Sequence, residues 1–522
     1  MIVLLVAFLL VTLLPHPTGA QEDPGKLDPS QSSHYLPLDH WAYRYLDLLV
    51  SRGRLPTLQP LVRPYRRADI AAAIVKAEGS GELLAPELAW LALIKQELPG
   101  ELEMVGAGKP ETYLRGRGTV GARSVWSTHR DVLRPNDTDD VFVLLEGDIA
   151  ADFPNVTTAI RFRRDDWLLN DPQFEDGRVV EHHPNFLGLG DFGGRAEDSY
   201  FELQIPYFRF MFGRMYRNWG LPAAQGLLVS DYSYSYDQLA YRIGTDRLSL
   251  TGFSVQLDEF EDNVKRWHSA HRLDWRVNDK LSLALGEAVV YGGENRSFDW
   301  RMATPIGIWV VGGYGKDYEV GPNRNNSLTQ IEAWWKPGQG TVVYGTFMFD
   351  DGFGGDTPPG YALALGLEFP NLTPTLGLRL DYSQVAAFTY RTTTSYEIYA
   401  FRGLGIGRDM SDHDRLDIGL DWIPHPRLFL NPYSTILRRG EGDFRDPWPE
   451  GGVSGMPWLF LGQRETTLRM AVGGHWTGDW IRAEFDLGGN HVWDHQHVAG
   501  ETRTEFVGRI LLVVTAGIWG KL

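Results

Sequence analysis

Apolar and polar positions alternate with period two through most of the chain, and Tyr361–Tyr382 shows the pattern at its cleanest. Tyr361, Leu363, Leu365, Leu367 and Phe369 fall on one face of an extended strand, against Ala362, Ala364, Gly366 and Glu368 on the other. After a short Pro/Asn/Thr turn, Leu376, Leu378, Leu380 and Tyr382 repeat the pattern against Gly377, Arg379 and Asp381. Side chains alternate across a strand, so this hairpin has one large apolar face and one small or charged face, with aromatics at the strand ends. A transmembrane β-barrel, with lipid outside and a wet lumen inside, uses such a hairpin. A soluble β-sandwich uses the same alternation turned inward.

Repetition along the chain separates the two. Val143, Leu145, Gly147, Ile149, Ala151 and Phe153 oppose Leu144, Glu146, Asp148 and Asp152, and Ile160 and Phe162 oppose Arg161 and Arg163. The alternation returns at His271–Val277, Leu281–Leu285, Leu416–Trp422, Ile481–Leu487 and in a last strand, Thr504–Trp519. The charged face carries both signs on neighbouring strands, with Glu146 and Asp148 near Arg161 and Arg163. A sandwich would have to bury every apolar face in one core. Short turns also alternate with long polar segments such as Leu169–Ser199, Asp350–Gly360 and Arg438–Met456, the rhythm of a barrel with short turns at one end and long loops at the other. At roughly 20–25 residues per strand and connection, the chain has room for on the order of 16–18 strands. The expected fold is all-β: a large antiparallel transmembrane β-barrel over residues 106–522, preceded by a small helical periplasmic region over 21–105.

The N-terminal part follows other periods. Ile2–Leu14 is an almost unbroken apolar run followed by Thr18-Gly19-Ala20, the pattern of a secretory signal peptide over residues 1–20. The run is short of the ~20 residues a helix needs to cross a bilayer. No later segment is apolar enough for a transmembrane helix, so a membrane role must come from strands. From Asp39 to Leu98 the spacing is helical. Asp39 is a candidate N-cap, with Trp41, Tyr45, Leu48 and Leu49 on one face before Gly53. A second helix around Arg67–Glu78 groups Ile70, Ala73, Ile74 and Ala77, and a third follows at Pro86–Leu98.

Composition narrows the function classes. The net charge of −17 offers no basic stripe for phosphates, which argues against nucleic-acid binding. With no cysteine, a disulfide framework, a thiolate metal site, a cysteine nucleophile and a lipid anchor on Cys are all excluded. The 18 Trp, 22 Tyr and 25 Phe suit both membrane girdles and sugar-stacking surfaces.

The most distinctive run is Phe208–Gln256, where Gly213-Arg214, Arg217, Trp219-Gly220 and Gly226-Leu227-Leu228 precede Asp231-Tyr232-Ser233-Tyr234-Ser235-Tyr236. These elements resemble a motif of the Wzi-type capsule-assembly family, G-R-x-x-x-x-W-G before a strand of the L-I-L-S type. Thr304-Pro305, Asn323–Trp335 and Tyr344–Gly352 echo further segments of that family in the same order. The resemblance implies an outer-membrane barrel, with a periplasmic helical part, that acts as a lectin for capsular or related exopolysaccharide at the surface of a diderm bacterium. Its other implied partners are outer-membrane lipid and the barrel-assembly machinery, and the expected state is a monomer. This chain departs from the family at Gly220-Leu221-Pro222, where G-P-G is expected, and in the Asp231–Tyr236 run, which is its own. Outer-membrane barrels commonly end on an aromatic residue, whereas this chain continues past Trp519 as Gly-Lys-Leu. Separately, His40-Trp41-Ala42-Tyr43, Leu46-Asp47, Leu49 and Gly53, followed by Pro64–Ile74, resemble a single surface-layer-homology repeat. That repeat implies anchoring to cell wall or polysaccharide, whereas a small helical bundle packed on the barrel end explains the same residues.

Sugars present C–H faces that pack on aromatic rings, and hydroxyls that need polar partners. Arg214, Arg217, Trp219, Tyr232, Tyr234 and Tyr236 supply both chemistries and are the candidate polysaccharide-binding residues, joined by Asp166 and Trp167 beside Arg163-Arg164. The competing account makes the rings interfacial girdle residues and pairs the arginines with luminal carboxylates. His491, His495 and His497 share one face of an extended strand but read as a polar loop rather than a metal site. Asp350-Asp351 raises glycoside hydrolysis, yet acidic pairs at strand ends need no catalytic role. With no GxSxG motif, the chain reads as a non-enzyme without cofactor. A diffusion porin with a two-signed lumen stands as the other class.

Overall fold

The computed structural model describes residues 31–107, 111–127, 140–165, 195–220, 226–259, 263–305, 325–350 and 359–522. The proposed signal peptide, Asp166 and Trp167 lie outside the described residues.

Eighteen antiparallel strands close into one barrel. In chain order they are β1 (Tyr113–Ser127), β2 (Asp140–Asp152), β3 (Val156–Asp165), β4 (Arg195–Ile205), β5 (Phe208–Met215) and β6 (Tyr236–Gly244). Next come β7 (Leu248–Gln256), β8 (Val264–Asn278), β9 (Leu281–Glu294), β10 (Asn325–Gly338), β11 (Thr341–Phe349) and β12 (Tyr361–Thr373). The last six are β13 (Leu376–Val385), β14 (His413–His425), β15 (Leu428–Arg439), β16 (Glu465–Thr477), β17 (Ile481–Trp493) and β18 (Thr502–Lys521). Each strand pairs with the next, and β18 returns to β1 over a long register running from Tyr113↔Lys521 to Ser127↔Val507. Closure removes every sheet edge, which a strand protein in lipid requires.

The alternation read from sequence fixes the two faces. Leu365, Ile149, Ile160, Ile418, Val472 and Leu512 are exposed on the outer wall, whereas Ala362, Ala364 and Glu368 are buried inside. Exposed tryptophans ring the short-turn end, at Trp275, Trp335, Trp422, Trp476, Trp480 and Trp519. Trp126, Trp458 and Trp493 are exposed toward the long-loop end. Apolar side chains between two aromatic girdles are the signature of a membrane-spanning wall. Inside, the two-signed ladder forms as expected: Glu146 stands opposite Arg163 and Asp148 opposite Arg161. Arg117 bonds Asp148 at 2.8 Å and Arg161 bonds Glu146 at 2.6 Å. One part of the outer wall differs. His271 and Glu287 face outward yet are 8% and 4% exposed and pair at 3.2 Å. Nearby, Met302 packs over Val289 and Tyr291.

Before the barrel, residues 31–107 carry four helices: α1 (Tyr43–Ser51), α2 (Arg67–Ser80), α3 (Ala85–Lys95) and α4 (Pro99–Ala107). The first three match the periodicity; α4 was not anticipated. Asp39 is not the N-cap of α1, a place taken by Ala42. Its carboxylate instead accepts from Arg161 at 2.7 Å and Arg163 at 2.9 Å. Burial alone would raise the Asp39 carboxyl, but these two guanidiniums hold it well below the usual carboxylate range.

The helical region is seated in the short-turn mouth and bonded around its circumference. Arg52 donates to the carbonyls of Pro370 and Pro374, Tyr45 to that of Pro426, and Ser32 to that of Phe153. Arg276 and Lys336 of the wall donate in return to the carbonyls of Pro56 and Arg52. Trp41 and Tyr45, from the segment resembling a surface-layer repeat, pack on wall residue His475. No described helix is long and apolar enough to cross a membrane.

Candidate functional site

The distinctive run after β5 turns into the lumen. Asn218 and Trp219 pair antiparallel with Arg63 and Val62 of the helical region. The Gly220 amide donates to the Leu61 carbonyl at 2.9 Å, and its φ of +136° is strained for any residue with a side chain. Gly226 lies against the Trp219 and Val229 carbonyls, where a Cβ would come within 2.2 Å of both. These contacts explain two of the motif's three glycines, Gly220 and Gly226.

From the long-loop side, the segment between β13 and β14 descends to meet this ribbon. The Tyr390 hydroxyl donates to the Leu227 carbonyl at 2.5 Å, and the Tyr399 hydroxyl to the Leu228 carbonyl at 2.7 Å. Arg266 of β8 binds the carbonyls of Tyr396, Ile398 and Ala400. The apolar core is consequently continuous, running from Leu49 and Trp90 in the helices through Trp219, Leu228 and Phe253 to Tyr390 and Phe444.

The candidate sugar-binding residues are distributed by this packing. Trp219 is 0% exposed, edge-on to Phe253 and under the Arg272 guanidinium. Tyr236 is buried and stacks on Phe253, and Tyr234 is buried with Arg402 over its ring. An open aromatic platform at these three positions therefore gives way to interior packing, because the segment folds into the lumen instead of outward. Arg214 sits on the outer wall in an ion pair with Asp237, separated from Arg217, whose Nε donates to Gln238 at 2.6 Å inside. Tyr232 is half-buried and its hydroxyl meets Asp409.

An aromatic–cationic arrangement that the sequence reading missed lies in the segment between β15 and β16. Phe460 is flanked by the guanidiniums of Arg438 and Arg464, at 5.3 and 5.7 Å from the ring centre. Asp412 fixes the backbone by accepting from the amides of Phe460, Leu461 and Gly442. Burial pushes the Asp412 carboxyl up, opposed by these amides. The signal was present as Arg438-Arg439 and Phe460–Arg464, but 20 residues lie between them and only the fold unites them.

Two cavities flank the helical region. One, of about 600 Å³, lies between Asp39–Asp47 and the wall at β15–β18, with Arg44, Glu484, Asp486 and Arg509 in its lining. The other, of about 410 Å³, lies between residues 57–76 and the wall at β4–β7, with Tyr35, Glu202, Arg209 and Arg217. In the second, the Tyr35 hydroxyl donates to Glu202 at 2.7 Å; burial and the adjacent carboxylate push its pKa up to about 12.

The three C-terminal histidines take separate partners. His491 bonds Thr504, His497 bonds the Gln463 carbonyl, and His495 lies beside Glu465 and Arg503. His34, Glu101 and Asp152 come close enough together to share a cation. However, Arg67 already supplies positive charge to Glu101, and His34 bonds Asp152 at 2.6 Å.

Closed wall, girdles and filled lumen define an outer-membrane-type β-barrel with an internal plug. Compared with solved structures, the chain is similar to Wzi, described as an outer-membrane protein involved in group 1 capsule assembly in Escherichia coli and as a carbohydrate-binding β-barrel. The TM-score is 0.63 at 14% identity, covering 93% of this chain and 99% of that one. Acinetobacter baumannii OccAB4 and Pseudomonas aeruginosa OprD match more distantly. Both have a TM-score of 0.43 at 10% identity and cover 78% and 79% of this chain, and 99% and 96% of their own. At these identities the likeness is one of fold. No family model matches the sequence, and no curated protein matches it.

Proposed function

We propose that this protein is an outer-membrane lectin, not an enzyme, that binds capsular or exopolysaccharide and helps assemble or retain it at the cell surface, with the helical region in the periplasm. One observation carries the reading against a diffusion porin. Tyr390 and Tyr399 close onto Leu227 and Leu228 in the middle of the barrel, where a pore needs water. The likeness in fold to a carbohydrate-binding barrel supports it. On this reading the long-loop face holds the glycan, with Tyr232 and the Phe460 platform as contacts, while Trp219, Tyr234 and Tyr236 hold the plug from which that face is built. Arg214 contributes from the outer rim.

The test is intrinsic tryptophan fluorescence of the refolded barrel, titrated with the source organism's own purified envelope polysaccharide, beside a Phe460→Ala/Arg464→Ala variant. Saturable quenching that the variant weakens is the expected result. No response, together with steady ion conductance in a planar bilayer, would make the protein a porin.

A further inference from the structure

The cavity of about 410 Å³ carries a charge opposite to that of the chain. Six cationic side chains and four carboxylates line it, in a protein of net charge −17. Most are already neutralised: Arg63 pairs with Asp47, Arg66 with Asp69, Arg242 with Asp246, and Asp274 with Arg272. Arg209 and Arg217 are different. Among the described residues neither has a carboxylate within ion-pair distance; Arg209 reaches the Tyr35 hydroxyl at 3.4 Å, and Arg217 reaches the neutral Gln238 amide oxygen.

Hydrogen-bond acceptors accompany these two guanidiniums. Glu202 is 3% exposed, and while its Oε2 accepts from Tyr35, its Oε1 is buried without a partner. The buried Oε1 of Gln59 in the same lining is also without one. Such atoms cost free energy unless a donor reaches them. Tyr35 and Tyr65 add aromatic surface.

We propose that this cavity binds a carboxylated sugar, a hexuronate or a uronate-containing disaccharide, admitted from the short-turn end where Tyr207 and Thr245 form its rim. Each part of that ligand answers one feature. The carboxylate neutralises Arg209 and Arg217, hydroxyls donate to Glu202 and Gln59, and a C–H face lies on tyrosine. A bare phosphate supplies no C–H face, and a neutral sugar leaves the guanidiniums unpaired. The volume suits one or two rings. That the ligand is a saccharide rests on the polysaccharide-binding reading; the anion chemistry stands without it.

Isothermal titration of the full chain in detergent with methyl glucuronide and digalacturonate decides this, with methyl glucoside and inorganic phosphate as comparisons. Saturable uronide binding is expected, weakened about tenfold or more by Arg217→Gln and restored toward wild type by Arg217→Lys. Glu202→Gln is expected to weaken uronide binding severalfold and to leave any phosphate binding unweakened. Absence of uronide binding overturns the proposal, as does equal affinity for methyl glucoside or equal loss of uronide and phosphate in Glu202→Gln. Heat-modifiable mobility on gels verifies folding, and the wild-type ligand comparison decides even where a variant misfolds. A parallel titration with whole envelope polysaccharide separates the two readings. Polysaccharide binding without uronide binding overturns the cavity alone, and loss of both overturns the lectin as well.

Discussion

Trp219 stands in antiparallel register with Val62, so the segment between β5 and β6 and the helical region share a two-residue ribbon inside the lumen. The indole fills the junction between that ribbon, Phe253 and Arg272. Trp219→Ala removes a fully buried aromatic and leaves a void, a loss of about 3–5 kcal/mol. A lowered thermal midpoint together with faster proteolysis of residues 31–107 is the expected outcome. An unchanged midpoint would show that the junction holds nothing.

Tyr390 and Tyr399 stack at 5.5 Å, and their hydroxyls bind neighbouring carbonyls on the ribbon. The Tyr390→Phe/Tyr399→Phe variant keeps the rings and strips both donors, leaving two buried carbonyls less well satisfied at about 1–3 kcal/mol each. Brief conductance events in planar bilayers, absent from the wild type, are expected as the closure loosens. Silent bilayers with this variant as well would place the barrier elsewhere.

Arg272 is fully buried between Asp274 and Glu332. Arg272→Met abandons two carboxylates in the interior, and removal of one partner from a buried ion pair costs about 3–5 kcal/mol. Adding Glu332→Gln should recover part of the loss. Denaturant midpoints of the single and double variants measure the coupling, and strict additivity would contradict it.

The seat of the helical region should respond to acid through His40 and Glu97, which lie 3.6 Å apart. Burial lowers the His40 ring from 6.5 to about 4, so the folded state keeps it neutral. Burial alone would raise Glu97, but His40 and Arg117 hold it down at about 2, so the folded state keeps it ionised. Both contributions are present at neutral pH. That of His40 is lost as pH falls from 6.5 toward 4, and that of Glu97 as it falls from 4.5 toward 2. Asp47 acts in the other direction. Burial lifts it to about 6 against Arg63, so its contribution grows on acidification through that range. Comparing wild type with His40→Asn isolates the first term, on the order of 2–3 kcal/mol. Limited proteolysis of the helical region between pH 7 and 4 should show a shallower dependence in the variant.

Tyr361–Tyr382 was legible as a barrel hairpin because alternation is a local property, and closure requires only that it repeat. The ladder of Glu146 and Asp148 against Arg161 and Arg163 followed from the same period. Helices α1, α2 and α3 were legible from theirs; α4, nine residues opened by Pro99-Gly100, was not. Trp219 marks where local reading ends. Its neighbours looked like a sugar platform because aromatics and arginines in sequence carry no information about which way a loop turns. Asp39 similarly read as a cap, since the competing Arg161 and Arg163 lie 122 and 124 residues away. The sequence by itself determined the wall, whose two faces are set residue by residue through the period of a strand. Only the tertiary structure decided the lumen, because filling it depends on contacts among the helical region, the ribbon at Trp219 and the segment at Tyr390, which meet only after the barrel has closed around them.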